Sequence, residues 1–403
     1  MKWAIRILAW AALAALLVAA PGLIARLPST SEGLVAQSYA QWSGVLRLWV
    51  HTGWTPGAGS FTAWLNTCIA KFEKRNPGVY VQVQPMTQAM AASFASGSNP
   101  PDAMLIAPGL LTSPAGLLSL PESEGVRADL QGIGLCEGER YAQIVAMGGY
   151  AWALNTAYLG EAPLNWGELA ERPEAPARSK LNPFWMQSPR DAPFLSWSAA
   201  LLSLCADRIV SEEGPAPVRA GEGIDLGLVD AEPTPTPAPA QLLRVDCQLP
   251  LLLPDDFRAE ESAYADFTAG RAAAIPVTQR EIRRLQLLSD TGKGPEWTIE
   301  AVGDNFTDQL ALFCVVDLPK NNLDERQELC VKLMRHLLAD ESQQALATVR
   351  ALRVTNGAPL YSQQRGMAQL EAAYMNGLQT VDAFDSSWRD QRKRQADAFQ
   401  QQS

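Results

Sequence analysis

The two histidines limit the catalytic chemistry that this chain can perform. They are His51, which follows an apolar, β-rich segment, and His336, which lies in an amphipathic helical pattern and is expected to be a surface or packing residue. The sequence contains no H-E-x-x-H, G-x-S-x-G or P-loop motif. Carboxylate pairs such as Asp255-Asp256 are common at solvated helix starts, and nothing marks one as a catalytic pair. We therefore expect no enzyme active site, no metal and no cofactor.

Tryptophan supplies the strongest binding chemistry in the chain, which contains 12 of these residues. Trp54 lies in a Gly/Pro loop directly after a predicted strand, where little core could cover it, although core packing is the equal alternative. An exposed indole can stack on the apolar face of a ligand ring, and a neighbouring histidine can donate a hydrogen bond. The candidate ligand-binding residues are His51, Trp54, Gly148, Tyr150, Trp152, Trp185 and Trp197, with core packing the alternative for the last two.

The loop that carries Trp54 belongs to a repeated order of strands and helices. Ser60 can cap a helix through residue 74, because its apolar residues recur at helical spacing. Strands predicted at 44–50, 79–83 and 103–107 alternate with this helix and with a short helix around 87–96. This order predicts a parallel sheet with right-handed crossovers, in which the loops after the strands meet at one edge.

The pattern resumes in the second half of the chain. Residues 146–154 read as one strand, and 272–277, 297–302 and 309–316 as three more. Residues 211–240 are rich in Pro, Gly, Ala and Glu and predict an exposed insertion with extended geometry. The remaining predicted helices begin at residue 165 and cover 194–205, 260–269, 279–288, 324–339, 341–350 and much of 361–400.

The six cysteines are scattered and form no C-x-x-C pair. Their spacing excludes the usual zinc and thioredoxin motifs. Disulfides are permitted in an exported chain, but the sequence does not choose among the possible pairings. Cys68, Cys314 and Cys330 lie in apolar patterns, where a buried free thiol is an equally good interpretation.

The N-terminal residues indicate export. Lys2 and Arg6 precede an apolar run from residue 7 to residue 25, which is typical of a signal peptide or a membrane anchor. We assign residues 1–26 to this segment and 27–43 to a linker, and favour an uncleaved anchor. Cleavage after Ala40, in the small-x-small sequence Ser38-Tyr39-Ala40, is the alternative.

The charge of the chain excludes some partners. With 33 basic and 43 acidic residues the net charge is −10. Such a surface does not suit nucleic acid or anionic lipid. We therefore expect no nucleic-acid partner, and contact with a membrane only through the N-terminal segment.

Several ordered fragments resemble one protein family, the extracellular solute-binding proteins of bacterial ABC importers (family 1, typified by maltose-binding protein). Lys71-Phe-Glu-Lys-Arg-Asn-Pro-Gly-Val79 is similar to the family's F-E-K-x-N-P-x-V, and Pro101-Asp102 to its P-D-V turn. Further similar fragments lie at 141–159, 165–169, 267–274 and 333–346. The chain departs from the family in lacking a lipoprotein cysteine after the apolar run and in its insertion at 211–240.

The resemblance implies an α/β, two-lobe periplasmic-binding-protein-like fold of type II. The resumed strand pattern then divides into lobe I, residues 44–145 and 276–325, and lobe II, residues 146–275 and 326–400. A protein of this family captures a small solute, here expected to be a carbohydrate, in the cleft between the lobes and delivers it to an ABC transporter permease outside the cytoplasm. A membrane-anchored ligand sensor and an exported carbohydrate-active enzyme are the alternatives.

Overall fold

The computed structural model describes residues 42–51, 56–94, 100–159, 241–243, 263–270, 274–301, 305, 307–317 and 324–385. The expected anchor at 1–26 and the expected insertion at 211–240 lie outside these residues. Within the described part no helix is both long enough and apolar enough to cross a membrane.

Twelve strands and eight α-helices are present in the described residues. In chain order they are β1 (Gly44–His51), α1 (Phe61–Arg75), β2 (Val79–Met86), α2 (Gln88–Ala92), β3 (Ala103–Ile106), β4 (Leu135–Cys136), β5 (Glu139–Arg140), β6 (Gln143–Met147), β7 (Tyr150–Asn155), α3 (Thr156–Leu159), β8 (Gln241–Leu243), α4 (Ala263–Thr268), β9 (Ala274–Thr278), α5 (Gln279–Asp290), β10 (Trp297–Ala301), β11 (Leu310–Val315), α6 (Asp324–Leu338), α7 (Asp340–Gln344), α8 (Arg365–Met375) and β12 (Gln379–Val381).

The first sheet has five strands in the order β2-β1-β3-β11-β6. β1 is parallel to both β2 and β3, which confirms the parallel arrangement predicted for this part of the chain. β11 is antiparallel to β3 and to β6. The sheet is therefore mixed rather than all parallel. The chain enters β11 from the second sheet, so β11 runs opposite to β3 and β6.

The second sheet has three strands in the order β10-β7-β9, and both pairs are antiparallel. β6 and β7 were predicted as one strand, and the structure instead breaks it at Gly148 and Gly149, so that each half joins a different sheet. Every residue of β6 and β7 is buried. Because the apolar pattern continues on both sides of the glycine pair, the spacing of apolar residues did not mark the break.

Helix α1 forms where the sequence predicts it. The side chain of Ser60 accepts a hydrogen bond from the backbone N–H of Ala63, which satisfies one free donor at the helix start. The helix buries its apolar face, formed by Phe61, Trp64, Leu65, Cys68, Ile69 and Phe72.

Two fragments of the family resemblance have structural roles. The buried carboxylate of Asp102 accepts a hydrogen bond from the backbone N–H of Arg47 at 2.7 Å and pairs with Arg326 at 2.6 Å, which ties α6 to β1. The side chain of Gln343 donates to the carbonyl of Val145 at 2.8 Å and accepts from the N–H of Val354 at 3.0 Å. Both side chains join segments that lie far apart in the sequence.

Helices α6 and α8 lie on different sheets. α6 packs against α1, β6 and β11 of the first sheet, although it lies in the range predicted for lobe II. α8 packs against α5 and β10, and β10 lies in the range predicted for lobe I. An amphipathic pattern shows that a helix packs but not on which sheet, and the lobe boundaries stay a prediction.

The thiols that can be described do not form disulfides. Cys68, Cys314 and Cys330 are buried free thiols, which is one of the two interpretations left open by the sequence. Burial raises the pKa of each of these thiols, so that they stay protonated. Cys205 and Cys247 lie outside the described residues.

Candidate functional site

Two neighbouring crossings connect strands of the first sheet directly to strands of the second. The first crossing is Gly148-Gly149, between β6 and β7, and the second runs from β10 to β11. The crossings lie side by side because β11 pairs with β6 while β10 pairs with β7. Relative motion of the two sheets would bend the chain near Gly148-Gly149 and residues 307–309, which we call the crossover.

The backbone groups of the crossover are bonded largely by side chains. Gly148 donates its N–H to the carbonyl of Gln309 at 2.7 Å and accepts at its own carbonyl from the hydroxyl of Thr307 at 2.9 Å. The amide of Gln279, in the orientation that satisfies both of its groups, accepts from the N–H of Gly149 at 2.7 Å and donates to its carbonyl at 3.2 Å. Buried backbone groups need such partners, and here they come from two segments, residues 307–309 and the start of α5.

Both glycines of the crossover are required by close contacts rather than by a special backbone angle. A Cβ atom at Gly148 would lie 2.0 Å from Oε1 of Gln309. A Cβ atom at Gly149 would lie 2.6 Å from Cε2 of Tyr374. Any larger residue would push these side chains away from the crossing strands.

A buried polar network surrounds the crossover. The hydroxyl of Tyr150 donates to Oδ1 of Asp308 at 2.9 Å. The hydroxyl of Tyr374 accepts from the N–H of Tyr150 at 2.9 Å and donates to its carbonyl at 3.2 Å. The guanidinium of Arg127 donates to the carbonyl of Tyr374 at 2.6 Å and is itself held by the carboxylate of Asp129, with Nε 3.0 Å from Oδ1. The network joins β7, α8, residues 307–309 and the segment at 127–129 through buried hydrogen bonds.

The sequence identified only part of this network. Gly148 and Tyr150 were candidates, whereas Thr307, Gln309 and Tyr374 were not. The Thr278–Glu281 capping box, in which Glu281 accepts from the Thr278 N–H at 3.1 Å, has a recognisable sequence pattern and could have located Gln279 at the start of α5. No comparable signal marks Tyr374.

The other ligand-binding candidates occupy different surroundings. Trp54, Trp185 and Trp197 lie outside the described residues. His51 is partly exposed and is the last residue of β1, one position beyond the predicted end of that strand, and its part in a ligand site stays a prediction. Tyr150 and Trp152 are each only 1% exposed. In the conformation described both rings are buried, and their contact with a ligand stays a prediction.

Two other features do not add to the site. An open surface groove lies against α6 and is lined by Leu118, Pro121, Gln327, Glu328, Val331, Lys332 and Arg335. None of these residues belongs to the crossover. Among the described residues no group of three or more His, Cys, Asp or Glu side chains could hold a metal ion.

Comparison with solved structures places the fold among known binding proteins. The GacH receptor of Streptomyces glaucescens, determined unliganded and in complex with acarbose and an acarbose homologue, has a TM-score of 0.51 at 14% identity, covering 90% of this chain and 95% of that chain. An ABC substrate-binding protein from Listeria monocytogenes, in complex with cycloalternan, has a TM-score of 0.49 at 12% identity, covering 90% and 99%. The maltose/maltodextrin-binding domain MalE from Bdellovibrio bacteriovorus, bound to maltotriose, has a TM-score of 0.48 at 16% identity, covering 89% and 93%.

The sequence itself assigns the family. A comparison with curated proteins gave no match. Residues 67–358 match the family described as bacterial extracellular solute-binding protein. The matched range contains most of the chain. It includes both crossings and every strand of the first sheet except β1. The resemblance read from the sequence fragments is confirmed, and the protein belongs to the bacterial extracellular solute-binding proteins.

Proposed function

We propose that this protein captures a carbohydrate between its two sheets and delivers it to the permease of an ABC importer. The observation that carries the proposal is the double crossing between two separate sheets in a chain of the solute-binding family. Two lobes joined by short crossing segments can close around a ligand by hinge motion. Such a protein works by binding and release, which agrees with the absence of recognisable catalytic motifs in the sequence.

A carbohydrate is the ligand class that we favour. The GacH receptor shares this fold and binds acarbose, and the present chain is rich in tryptophan. Indole rings cover the apolar faces of ligand rings, while polar groups at the edge take hydroxyls. We propose Trp54, His51, Tyr150 and Trp152 as contributors to one ligand site, with Gly148, Trp185 and Trp197 as further candidates.

Direct titration tests the ligand class. The full chain, kept in detergent, is titrated with acarbose and with maltotriose in a calorimeter, and a mixture of amino acids serves as the control ligand. We expect saturable binding of at least one saccharide with a Kd of about 1 μM or tighter, near −8.2 kcal/mol. Saturable binding of amino acids without any response to saccharides would contradict the carbohydrate assignment while leaving the family intact.

Delivery to a permease needs a separate test. We propose that residues 1–26 hold the protein at the outer face of the cell membrane, where it meets its permease. Deletion of the gene should abolish uptake of the labelled saccharide identified by titration, and restoring the full chain should recover it. Normal uptake together with loss of a saccharide-dependent transcriptional response would favour the anchored sensor instead.

A further inference from the structure

Tyr374 occupies a position where three segments of the molecule meet. It lies in the last turn of α8, which packs against α5 and β10 of the second sheet. Its ring lies against Gly149 in the first crossing. Its backbone carbonyl accepts a hydrogen bond from the side chain of Arg127. The backbone N–H of Arg127 in turn donates to the carbonyl of Val354 at 3.0 Å, close to where Leu352 pairs with Met147 at the end of β6.

The hydroxyl of Tyr374 takes the place of a neighbouring strand. It bonds both the N–H and the carbonyl of Tyr150, the first residue after the glycine pair. The side chain is completely buried, and burial raises the pKa of its hydroxyl, which keeps it neutral and able to donate and accept at once. A buried hydroxyl that satisfies two backbone groups fixes the direction in which β7 leaves the crossover.

We propose that Tyr374 is a positioning residue that sets the orientation of the second sheet relative to the first. It does so by holding the start of β7 with its hydroxyl while Arg127 holds its carbonyl from the other side. Residues that absorb a hinge motion can lie far from the ligand, and their contacts bias the balance between open and closed states. The proposal concerns the closure on which the proposed function relies and is independent of the ligand's identity.

A second buried tyrosine provides a matched control. Tyr361 is 1% exposed, and its hydroxyl donates to the carbonyl of Ala351 at 2.6 Å. Its side chain is not among the nearest neighbours of Gly148 or Gly149. Tyr361→Phe therefore removes a buried hydroxyl of the same kind, so that a general loss of stability can be separated from a change in orientation.

The experiment measures the distance between the two sheets directly. Noncanonical amino acids carrying two dyes replace Tyr80 on β2 and Leu287 on α5, which are 63% and 55% exposed, and energy transfer is recorded on single full-length molecules without ligand. Tyr374→Phe should broaden the distance distribution or shift its mean by more than about 2 Å, the scale of a domain rearrangement. Tyr361→Phe should leave it as in the wild type.

A second variant keeps the proposal testable if Tyr374→Phe fails to fold. The double change Arg127→Gln with Asp129→Asn leaves a polar side chain at both positions but removes both charges and the guanidinium that holds the Tyr374 carbonyl, and it should also broaden or shift the distribution. An unchanged distribution in both variants, or an equal change in Tyr361→Phe, would overturn the positioning role. Because saccharide titration is measured separately, that result would leave the proposed function standing.

Discussion

Two tryptophans close together in the sequence have opposite expected roles. Trp64 is 2% exposed on the inner face of α1, and its indole N–H donates to the carbonyl of Ser342 at 2.9 Å. Trp54 follows β1 in the sequence and lies outside the described residues, which resume at Pro56; the N–H groups of Ala58 and Gly59 then donate to the Val349 carbonyl. Residue type alone does not distinguish the two tryptophans, so the different expectation for Trp54 rests on its position directly after a strand.

Trp54→Ala tests the expected stacking of this ring on a saccharide. Binding should weaken by about tenfold or more, roughly 1.4 kcal/mol, because the apolar face of the sugar loses its cover, while the melting temperature stays nearly unchanged. Trp64→Ala is the control, and it should cost ~3–5 kcal/mol of unfolding free energy because it empties the core. Calorimetric titration and thermal unfolding measure the two effects. A large loss of stability in Trp54→Ala without an effect on binding would place Trp54 in the core.

The crossover glycines give a second prediction at this scale. Gly148→Ala and Gly149→Ala should each cost ~1–3 kcal/mol, because the new Cβ meets Gln309 or the Tyr374 ring at well under van der Waals distance. Gly132→Ala is the control, since nothing lies within 4 Å of a Cβ at that position. Urea unfolding measures all three. Equal stabilities across the set would mean that the crossover yields easily to added volume.

At the scale of elements, α1 and α6 are joined by a histidine with a defined tautomer. Nε2 of His336 lies 3.0 Å from the carbonyl of Cys68 and so carries the proton, while Nδ1 lies 3.3 Å from a guanidinium nitrogen of Arg75 and accepts from it. Burial is the main cause that lowers the pKa of His336 below 6.5; the hydrogen bond to the Cys68 carbonyl and the charge of Glu341 oppose it, while the positive charges of Arg75 and Lys71 lower the pKa further. The packing between these helices therefore needs a neutral imidazole.

The expected consequence is a loss of stability in mild acid. Below pH 6.5 the unfolded chain takes up a proton at His336 more readily than the folded protein, so the free energy of unfolding should fall as the pH drops through the folded pKa. His336→Gln should show a smaller decline between about pH 7.5 and about pH 5.5, because the amide does not titrate in this range. Urea unfolding at the two pH values checks this. Equal declines in both proteins would exclude His336 as the cause.

The sequence predicted helices and strands well where they pack on one sheet. It predicted strand boundaries poorly where the chain passes from one sheet to the other. α1, β1 and β2 follow from periodicity and capping, because each has one buried face with regular spacing. The break between β6 and β7 did not follow, since both strands are buried on every residue and present no alternation. The bond from Tyr374 to Tyr150 spans 224 positions, and no local pattern encodes a partner at that distance.

The insertion predicted at 211–240 is also an element-scale question. These residues carry many prolines and few large apolar side chains, so they have little to contribute to a packed core. A variant lacking 211–240 should bind the saccharide with nearly the wild-type affinity. A loss of more than about tenfold, ~1.4 kcal/mol, would show that the segment contributes to the ligand site.

At the scale of the whole molecule, two sheets share one chain that crosses between them repeatedly. After α8 the chain returns to the first sheet, where the N–H of Gly109 donates to the carbonyl of Ala383 at 2.8 Å. Repeated crossing ties the two sheets together through several separate segments of the chain. Family membership places this structure outside the cytoplasm, as a solute-binding protein rather than an enzyme.

The mode of attachment to the cell gives the last prediction. The apolar run at residues 7–25 is about 28 Å long as a helix, close to the ~30 Å hydrocarbon thickness of a bilayer, and basic residues precede it. The full chain should therefore remain in the membrane fraction through a high-salt wash, which removes proteins held only by charge, and deletion of residues 1–26 should prevent membrane attachment. N-terminal sequencing of the protein recovered from cells provides the control. An N-terminus directly after Ala40, on protein found in the soluble extracytoplasmic fraction, would show that the segment is a cleaved signal peptide and that the protein meets its permease by diffusion.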